Sequence, residues 1–569
     1  MFKLTNCQIA IDKPQMRGAS SGDVSNVTKC ALQDINHHVL RAVSHTMPLN
    51  SPIHIVWLKR DLRLADHAPL TAALMHGPVC LLHVVEPEYW QQPDTSARQF
   101  EFARECLLEL QQQAASLGGH LTIRVGRVTD ILEAIRQSYP STTLWSHEET
   151  GNDWTFTRDK QVAAWCDANS ITWHELPHKG VTRGLRNRDE WAARHGTFMA
   201  QSALPAPPAL RTITMPTDAM PTAADLKLPP DPCPRRQRGG RRNALHMIES
   251  FFEGRGRKYT YEMSSPLTAD ESCSRLSPHL AYGTISIREV LQRAFAERQK
   301  LAGQPPDHRL IELRSADSFI ARLHWHCHFI QKLESEPEIE WRSMHRAYDA
   351  ARFKTPDDDP KLRAFSDGRT GFPFVDACIQ SLQASGWINF RMRAMLVAFA
   401  TYHLQLDWQA VGHVLARLFT DYEPGIHWPQ VQMQSGQTGI NSPRIYNPVK
   451  QSFDQDAEGV FIRRWLPELA ALPTVFLHEP WTMTDADQKM HGLKIGHDYP
   501  ARLVDHVEAM RQARERFTAV RHAQGFKVHA DHVFQRHGSR TGKRDGAPKR
   551  KVVKAEKPVV PKTQLTFDL

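Results

Sequence analysis

No two cysteines of this 569-residue chain stand in a C-x-x-C spacing, and none follows Cys378. The nine cysteines (7, 30, 80, 106, 166, 233, 273, 327 and 378) are scattered and odd in number. That pattern argues against a disulfide framework and a zinc ribbon and fits a reducing cytoplasm. An iron–sulfur cluster in the C-terminal half would need several thiolates there, so none is expected. Long hydrophobic runs are missing as well. With 41% apolar and 23% charged residues and a mean hydropathy of -0.48, the composition is that of a soluble globular protein without a membrane span. The first 46 residues lack the apolar core of a secretory signal and the arginine richness of a transit peptide. They read as a disordered extension, or as the product of a start codon upstream of Met47.

Charge is uneven. From Arg536 to Lys562 ten Lys/Arg face only Asp545 and Glu556, so eight of the nine net positive charges sit there and the rest of the chain is nearly neutral. This stretch has no aromatic before Phe567 and cannot bury enough apolar surface to fold alone. It reads as a basic disordered tail over 524–569, offering contacts to nucleic-acid phosphates that are blind to sequence.

Alternating short apolar runs and amphipathic segments ("PIHIVWLKRDLRL" from 52, "PVCLLHVVEPEYW" from 78, "HLTIRVG" from 120, "TTLWSHEE" from 142) predict an α/β domain with a parallel sheet over about 51–185. A proline-dense connector lies within 186–243, after a disordered extension over 1–50 and the α/β domain. From 244 to 523 apolar residues return every three or four positions, punctuated by Gly and Pro, which predicts an all-helical domain without a fixed-period repeat.

The stretch "RLHWHCHFIQ", 322–331, concentrates His324, Trp325, His326, Cys327 and His328. On a helix over 316–333, His324 and His328 share one face and His326 points nearly opposite. Three ligands at most, and no H-E-x-x-H, speak against zinc. Nothing beyond sequence proximity supports a Cys–His nucleophile. The remaining option is a pocket wall rich in π-surfaces and polar tips. "SCSRLSPHLAYGTIS", 272–286, puts three serines and an arginine at a helix start, where an anion such as a diphosphate would be stabilised; an ordinary helix cap reads the same way.

More specific are "DGRTGFPFVDACIQSLQASGWINFRMRAM", 367–395, and "LDWQAVGHVLARLFTDYEPGIHWPQ", 406–430. With "WLKRDLRLADHAPL" at 57–70, "RIYNPVKQSFDQDAEGVFIRRWLPEL" at 444–469, "HEPW" at 478 and "YPARLVDH" at 499, they resemble the photolyase/cryptochrome family of blue-light flavoproteins, in order, over about 52–520. The resemblance implies an N-terminal Rossmann-like domain able to carry an antenna chromophore and an all-α domain holding FAD. It implies a flavin shell of Tyr259, Ser272, Cys273, Ser274, Arg275, Leu276, Ser277, Asn389, Tyr422 and Glu423, with Arg393 and Asp421 paired beside the isoalloxazine. It also implies a lesion-facing wall of Arg322, Trp325 and His326 together with Arg391, and His427 near flavin N5 as a proton donor.

Departures from the family pattern are several. His67 replaces an Asn; Arg322 stands where cyclobutane photolyases carry a Glu; Phe390 replaces the Asn after "GW". Of the family's three relay tryptophans only the middle one has a counterpart, Trp408. The outer position is Phe365, the inner one is not Trp, and Trp428, Trp387, Tyr422 and Tyr402 are candidates for a substitute path. The resemblance implies a monomeric, light-driven repair enzyme for pyrimidine dimers in DNA, single-stranded DNA among its candidate substrates. A cryptochrome-type photoreceptor and a non-light module keeping its flavin as a relic are the rivals. The absence of a His-His pair after Trp387 argues against six-four photoproducts. The terminal "QLTFDL", Gln564–Leu569, resembles peptides that bind bacterial sliding clamps.

Overall fold

A computed structural model describes residues 52–540, apart from the side chains of 306–308. The expected extension over 1–50 and the clamp-like terminus lie outside the described residues.

Five parallel strands form the N-terminal sheet: β1 (Ile53–Leu58), β2 (Val79–Val85), β3 (Leu121–Val125), β4 (Thr142–His147) and β5 (Thr172–Leu176), in the order β3-β2-β1-β4-β5. In β1 every residue is buried, because helices cover both sheet faces. Val56 and Leu58 pack with Phe100, Phe102 and Leu107 of helix Ala97–Ser116, whereas Ile55 and Trp57 pack with Ile131, Leu132 and Val162 on the opposite face. The period-two alternation of "IHIVWL" thus feeds two cores at once. The fifth strand, "TWHEL", was not expected: its residues are exposed or only part-buried, so it lacks the apolar run that marks β1 and β2. Because the strand order reverses between β1 and β4, the carboxyl ends of these two strands open a crevice. Here that crevice faces the helical domain.

The connector is not a free spacer. It contains helix Trp191–Ala200, and its extended part lies along the sheet, where Val79 donates to Arg211 O and Ile213 donates to Val79 O. Leu210, Met215 and Leu226 are buried, and Asp231 pairs with Arg98. Proline fixes the extended backbone, and burial of these side chains supplies the adhesion.

The helical domain is built around Phe365, Phe372, Phe374, Met392, Phe399, Trp408 and Trp428. Its longest helix, Pro306–Ser335, packs against Pro424–Gln434 so closely that a Cβ on Gly425 would lie 2.8 Å from Ile330 Cα. The first part of the expected tail is helical. Helix Phe526–His537 buries Phe526, Val533 and His537, and Phe526 stacks on His345 at 3.9 Å between ring centroids. Phe526 and Val533, set in a histidine-rich, otherwise polar stretch, anchor it. Among the described residues no helix is long and apolar enough to cross a membrane.

Gly425→Ala should lower unfolding stability by about 1–3 kcal/mol, the usual cost of overpacking. Gly254→Ala, whose added methyl meets nothing within 4 Å, should change it by less than about 0.5 kcal/mol. Urea denaturation of both variants checks the difference.

Candidate functional site: a cationic cavity in the helical domain

The motif that carries the resemblance most specifically, "GRTGFPFVDA", is structural. Asp376 accepts hydrogen bonds from the Thr370 and Gly371 amides, the Thr370 hydroxyl and the Tyr499 hydroxyl. Gly371 has φ 78° with Ala501 O against it, so only glycine closes this turn without strain. The turn fixes the start of helix Pro373–Ser385, whose C-terminal Gly386 leads into Trp387 and helix Phe390–Ala398.

Beside that helix lies a cavity of about 1360 Å³, counting its open mouth. Fifteen of the residues expected at the site line it: Tyr259, Cys273, Ser274, Arg275 and Ser277 on one side, Arg322 and His326 from the long helix, Trp387, Asn389, Arg391 and Arg393 opposite, and Asp421, Tyr422, Glu423 and His427 at the end. Six do not. Leu276 is core, and Ser272 is buried beneath the lining with its hydroxyl unpartnered. Trp325 turns away and packs edge-on against His328 at 4.9 Å and near Phe329. Phe365 is fully buried in the main core, and Trp408 and Trp428 stand behind the wall.

The histidines of "RLHWHCHFIQ" divide as helical geometry requires. His326 reaches the cavity, whereas His324 packs on Trp191 and His195, and His328 accepts from Arg188 at 2.5 Å. Among the described residues the one trio close enough to hold a metal is elsewhere: Asp61, His67 and His147. His67 Nδ1 accepts from the Leu70 amide, so its proton lies on Nε2, facing Asp61 at 3.0 Å; His147 Nδ1 donates to the same carboxylate at 2.6 Å. A protonated Nε2 cannot ligate, and the trio is a hydrogen-bonded cluster.

At the cavity's end Arg393 Nη2 donates to Asp421 Oδ2 at 2.7 Å and Nε to Ile388 O at 2.8 Å, while the guanidinium lies over Phe419. Glu423 pairs with Lys179 of the α/β domain, and that cation holds its carboxyl below the usual range against the opposing effect of burial. Arg322 hydrogen-bonds Tyr259 and lies toward Phe390. Arg275, in the left-handed region at φ 59°, pairs with Asp270 over Trp387, and burial brings its pKa to about 10. Four guanidinium groups therefore face two carboxylates, one already neutralised by Lys179. His326, at about 4, and His427, at about 3, are held neutral by burial and add no charge. The cavity favours an anionic ligand.

His427 is not placed to donate. Its Nε2 lies 2.9 Å from Gly412 O, which can only accept, so the single proton of the neutral ring is on Nε2 and Nδ1 is an acceptor.

A dinucleotide fits these residues. Buried acceptors of Asn389, Asp421, Glu423 and Gln434, all lining residues, have no partner. Left so, each costs about 1–3 kcal/mol; the N–H and hydroxyl groups of FAD would satisfy them, and its diphosphate suits Arg275 and the serines. Gln430 and Gln434 were missed by sequence reasoning, although their spacing from His427 puts all three on one helical face. Lys179, contributed by the α/β domain, carried no local signal.

A parallel-sheet domain joined to a helical domain enclosing a cationic cavity defines a two-domain cofactor-binding protein. Residues 54–194 match the family model described as DNA photolyase, and residues 319–519 match the FAD binding domain of DNA photolyase. The chain belongs to the photolyase/cryptochrome family. It is 28% identical to the deoxyribodipyrimidine photo-lyase of Vibrio cholerae over 475 residues, covering 80% of this chain and 97% of that protein. It is 27% identical to the cryptochrome DASH of Gloeobacter violaceus, covering 79% and 93%. The crystal structure of a class III photolyase from Agrobacterium tumefaciens superposes with a TM-score of 0.72 at 24% identity, over 85% of this chain and all of that one.

Arg393→Ala should purify with at least tenfold less bound flavin, read from absorbance, since about 1.4 kcal/mol of lost binding already gives that factor; retention of full colour would contradict the pocket. His427 binds no proton in the folded state until about pH 3, whereas unfolded it binds one near 6.5. Its contribution is complete above pH 6.5 and is lost as pH falls toward 3, at up to about 1.4 kcal/mol per pH unit. His427→Asn should flatten the fall in stability between pH 6 and 4 by that slope, checked by urea denaturation at both values.

Proposed function

We propose that this chain repairs pyrimidine dimers in DNA, using blue light. The observation that carries the reading is the cationic cavity, which has acceptors for a dinucleotide at its closed end and further volume toward its mouth. When bound and reduced, FAD supplies the photoexcitable electron donor for splitting the dimer. The chain's own work is positional. Arg393, oriented by Asp421, would stabilise the negative charge of a reduced flavin, and a guanidinium so held needs no reorganisation. Toward the mouth, Arg322, His326, Phe390 and Arg391 offer hydrogen-bond donors and an aromatic face to a base turned out of the helix. Arg322 does this with a cation where a carboxylate is usual. It would donate to the lesion's carbonyl oxygens and favour the extra electron there.

A second cavity, about 760 Å³, lies at the carboxyl ends of β2 and β3, lined by Glu86, Arg127, Val128, Trp154 and Arg158. It suits a planar antenna chromophore against Trp154. DNA is the proposed partner, with the basic segment after Arg540 supplying phosphate contacts. The second reading, a cryptochrome-type photoreceptor, is favoured by Arg322 and by Phe390, which stand in place of the Glu and the Asn of the usual lesion wall.

Illumination of the reduced protein with a dimer-containing oligonucleotide should restore thymine absorbance, and Arg322→Ala should slow recovery about 100-fold, as for loss of one preorganised donor. No recovery on single or double strands would leave the photoreceptor reading.

A further inference from the structure

Behind the cavity wall an aromatic path leads away from His427. Its ring lies 5.0 Å from Trp428, and Trp428 lies 6.1 Å from Trp408, all between centroids and all nearly perpendicular. Trp428 is fully buried, and the space it fills exists because residue 412 is glycine: a Cβ there would sit 2.4 Å from Trp428 Cζ3. Trp428 is also the start of a polar chain that leaves the helical domain.

The direction of every proton in that chain can be assigned. The indole Nε1 can only donate, so Tyr422 Oη accepts from it, at 3.1 Å. The phenolic proton must then point the other way, to Asp94 Oδ2 at 2.5 Å. Asn152 Oδ1 accepts from the Thr155 amide, so Nδ2 of the same side chain donates to both oxygens of Asp94, at 3.0 and 3.2 Å. Asp94 thus receives three hydrogen bonds, which is the bonding of an ionised carboxylate. Tyr422, Asp94 and Asn152 are all buried to 3% exposure or less. A phenol held between an indole donor and a carboxylate has its proton already directed at the carboxylate.

We propose that Trp428, Tyr422 and Asp94 form a proton-coupled electron relay, in which Tyr422 is the residue finally oxidised and the Asp94 carboxylate takes its proton. The relay rests on the reading that the cavity holds FAD, and photoexcited oxidised flavin is the oxidant. Trp428 gives one electron to it and becomes an indole radical cation. Tyr422 then gives one electron to Trp428 and its O–H proton to Asp94 Oδ2. The O–H bond of Tyr422 breaks, an O–H bond forms on Asp94, and neutral Trp428, a neutral tyrosyl radical and a protonated carboxyl group remain. Oxidising a phenol without a base leaves a strongly acidic cation in a medium that cannot solvate it; the short bond to Asp94 removes that charge as it forms. The nearby Glu340 carboxyl, pushed up to about 8 by burial and by Asp94, holds a proton of its own and does not repel the Asp94 charge. Charge recombination then requires the proton to return with the electron, which prolongs the separated state.

The test uses the full chain loaded with oxidised FAD, a blue flash, time-resolved absorption and electron paramagnetic resonance. Wild type should give a neutral tyrosyl signal whose formation slows in deuterated solvent. Tyr422→Phe should lose that signal and keep a tryptophan radical; Asp94→Asn, which keeps the shape and removes the base, should form tyrosyl about 100-fold more slowly. Flavin-loaded wild type without a tyrosyl signal, or a signal that survives Tyr422→Phe, overturns the relay, as does an unchanged rate in Asp94→Asn. A chain that takes up no FAD overturns instead the cavity reading beneath it. The solvent isotope effect is read on wild type alone, so the relay remains falsifiable should a variant fail to fold.

Discussion

The turn Asp421–Tyr422–Glu423 is the point on which the molecule depends, because its three consecutive side chains leave in three directions and each is tied to a different element. Asp421 orients Arg393 inside the cavity, Tyr422 reaches Asp94, and Glu423 meets Lys179. Arg60, just beyond β1, donates to Tyr422 O and to Ala281 O. Gln99 caps the approach to the turn through Ala416 O and Phe419 O. The crevice where strand order reverses is thus spent on clamping the turn. Buried ion pairs of this kind contribute little net stability, yet removing one partner costs about 3–5 kcal/mol. Their value here is positional, since a guanidinium that must sit against a planar ring tolerates little drift.

Charge balance then explains how the same cavity can serve binding and chemistry. Its guanidinium excess, with both lining histidines neutral, suits a diphosphate and a reduced ring; its unpartnered acceptors suit the N–H and hydroxyl groups between them. Nothing in this arrangement needs a nucleophile or a general acid. Cys327, beside His326, is fully buried in the core, and burial pushes its thiol pKa up, which removes it as a nucleophile. On the proposed reading, Arg322 and Phe390 at the mouth and the path by which electrons arrive are where repair and signalling would part.

Much of this was legible from residues alone where one physical pattern dominated. The short apolar run of "IHIVWL" announced a buried strand, and the i, i+4 spacing of Arg322 and His326 against His324 and His328 divided the long helix correctly. The Arg393–Asp421 pair followed from the family resemblance and stands at 2.7 Å. Failures occurred where tertiary contacts decide. β5 has no apolar run of its own, the connector is held by side chains scattered among prolines, and helix Phe526–His537 is anchored by few apolar residues in a polar segment. Trp325 was assigned to the cavity by position in a motif, but its ring turns to His328. His427 read as a proton donor until Gly412 O, fifteen residues away in sequence, fixed its tautomer. Asp94 and Lys179 act through the domain interface, for which a single sequence holds no local sign.

The central claim is that the clamped turn makes the helical domain a preorganised holder for one flavin dinucleotide. The most direct measurement is the amount of FAD released on denaturing the purified full-length chain, after incubation with excess FAD and removal of what is free. The account predicts one FAD per chain. A colourless protein that releases none would contradict it.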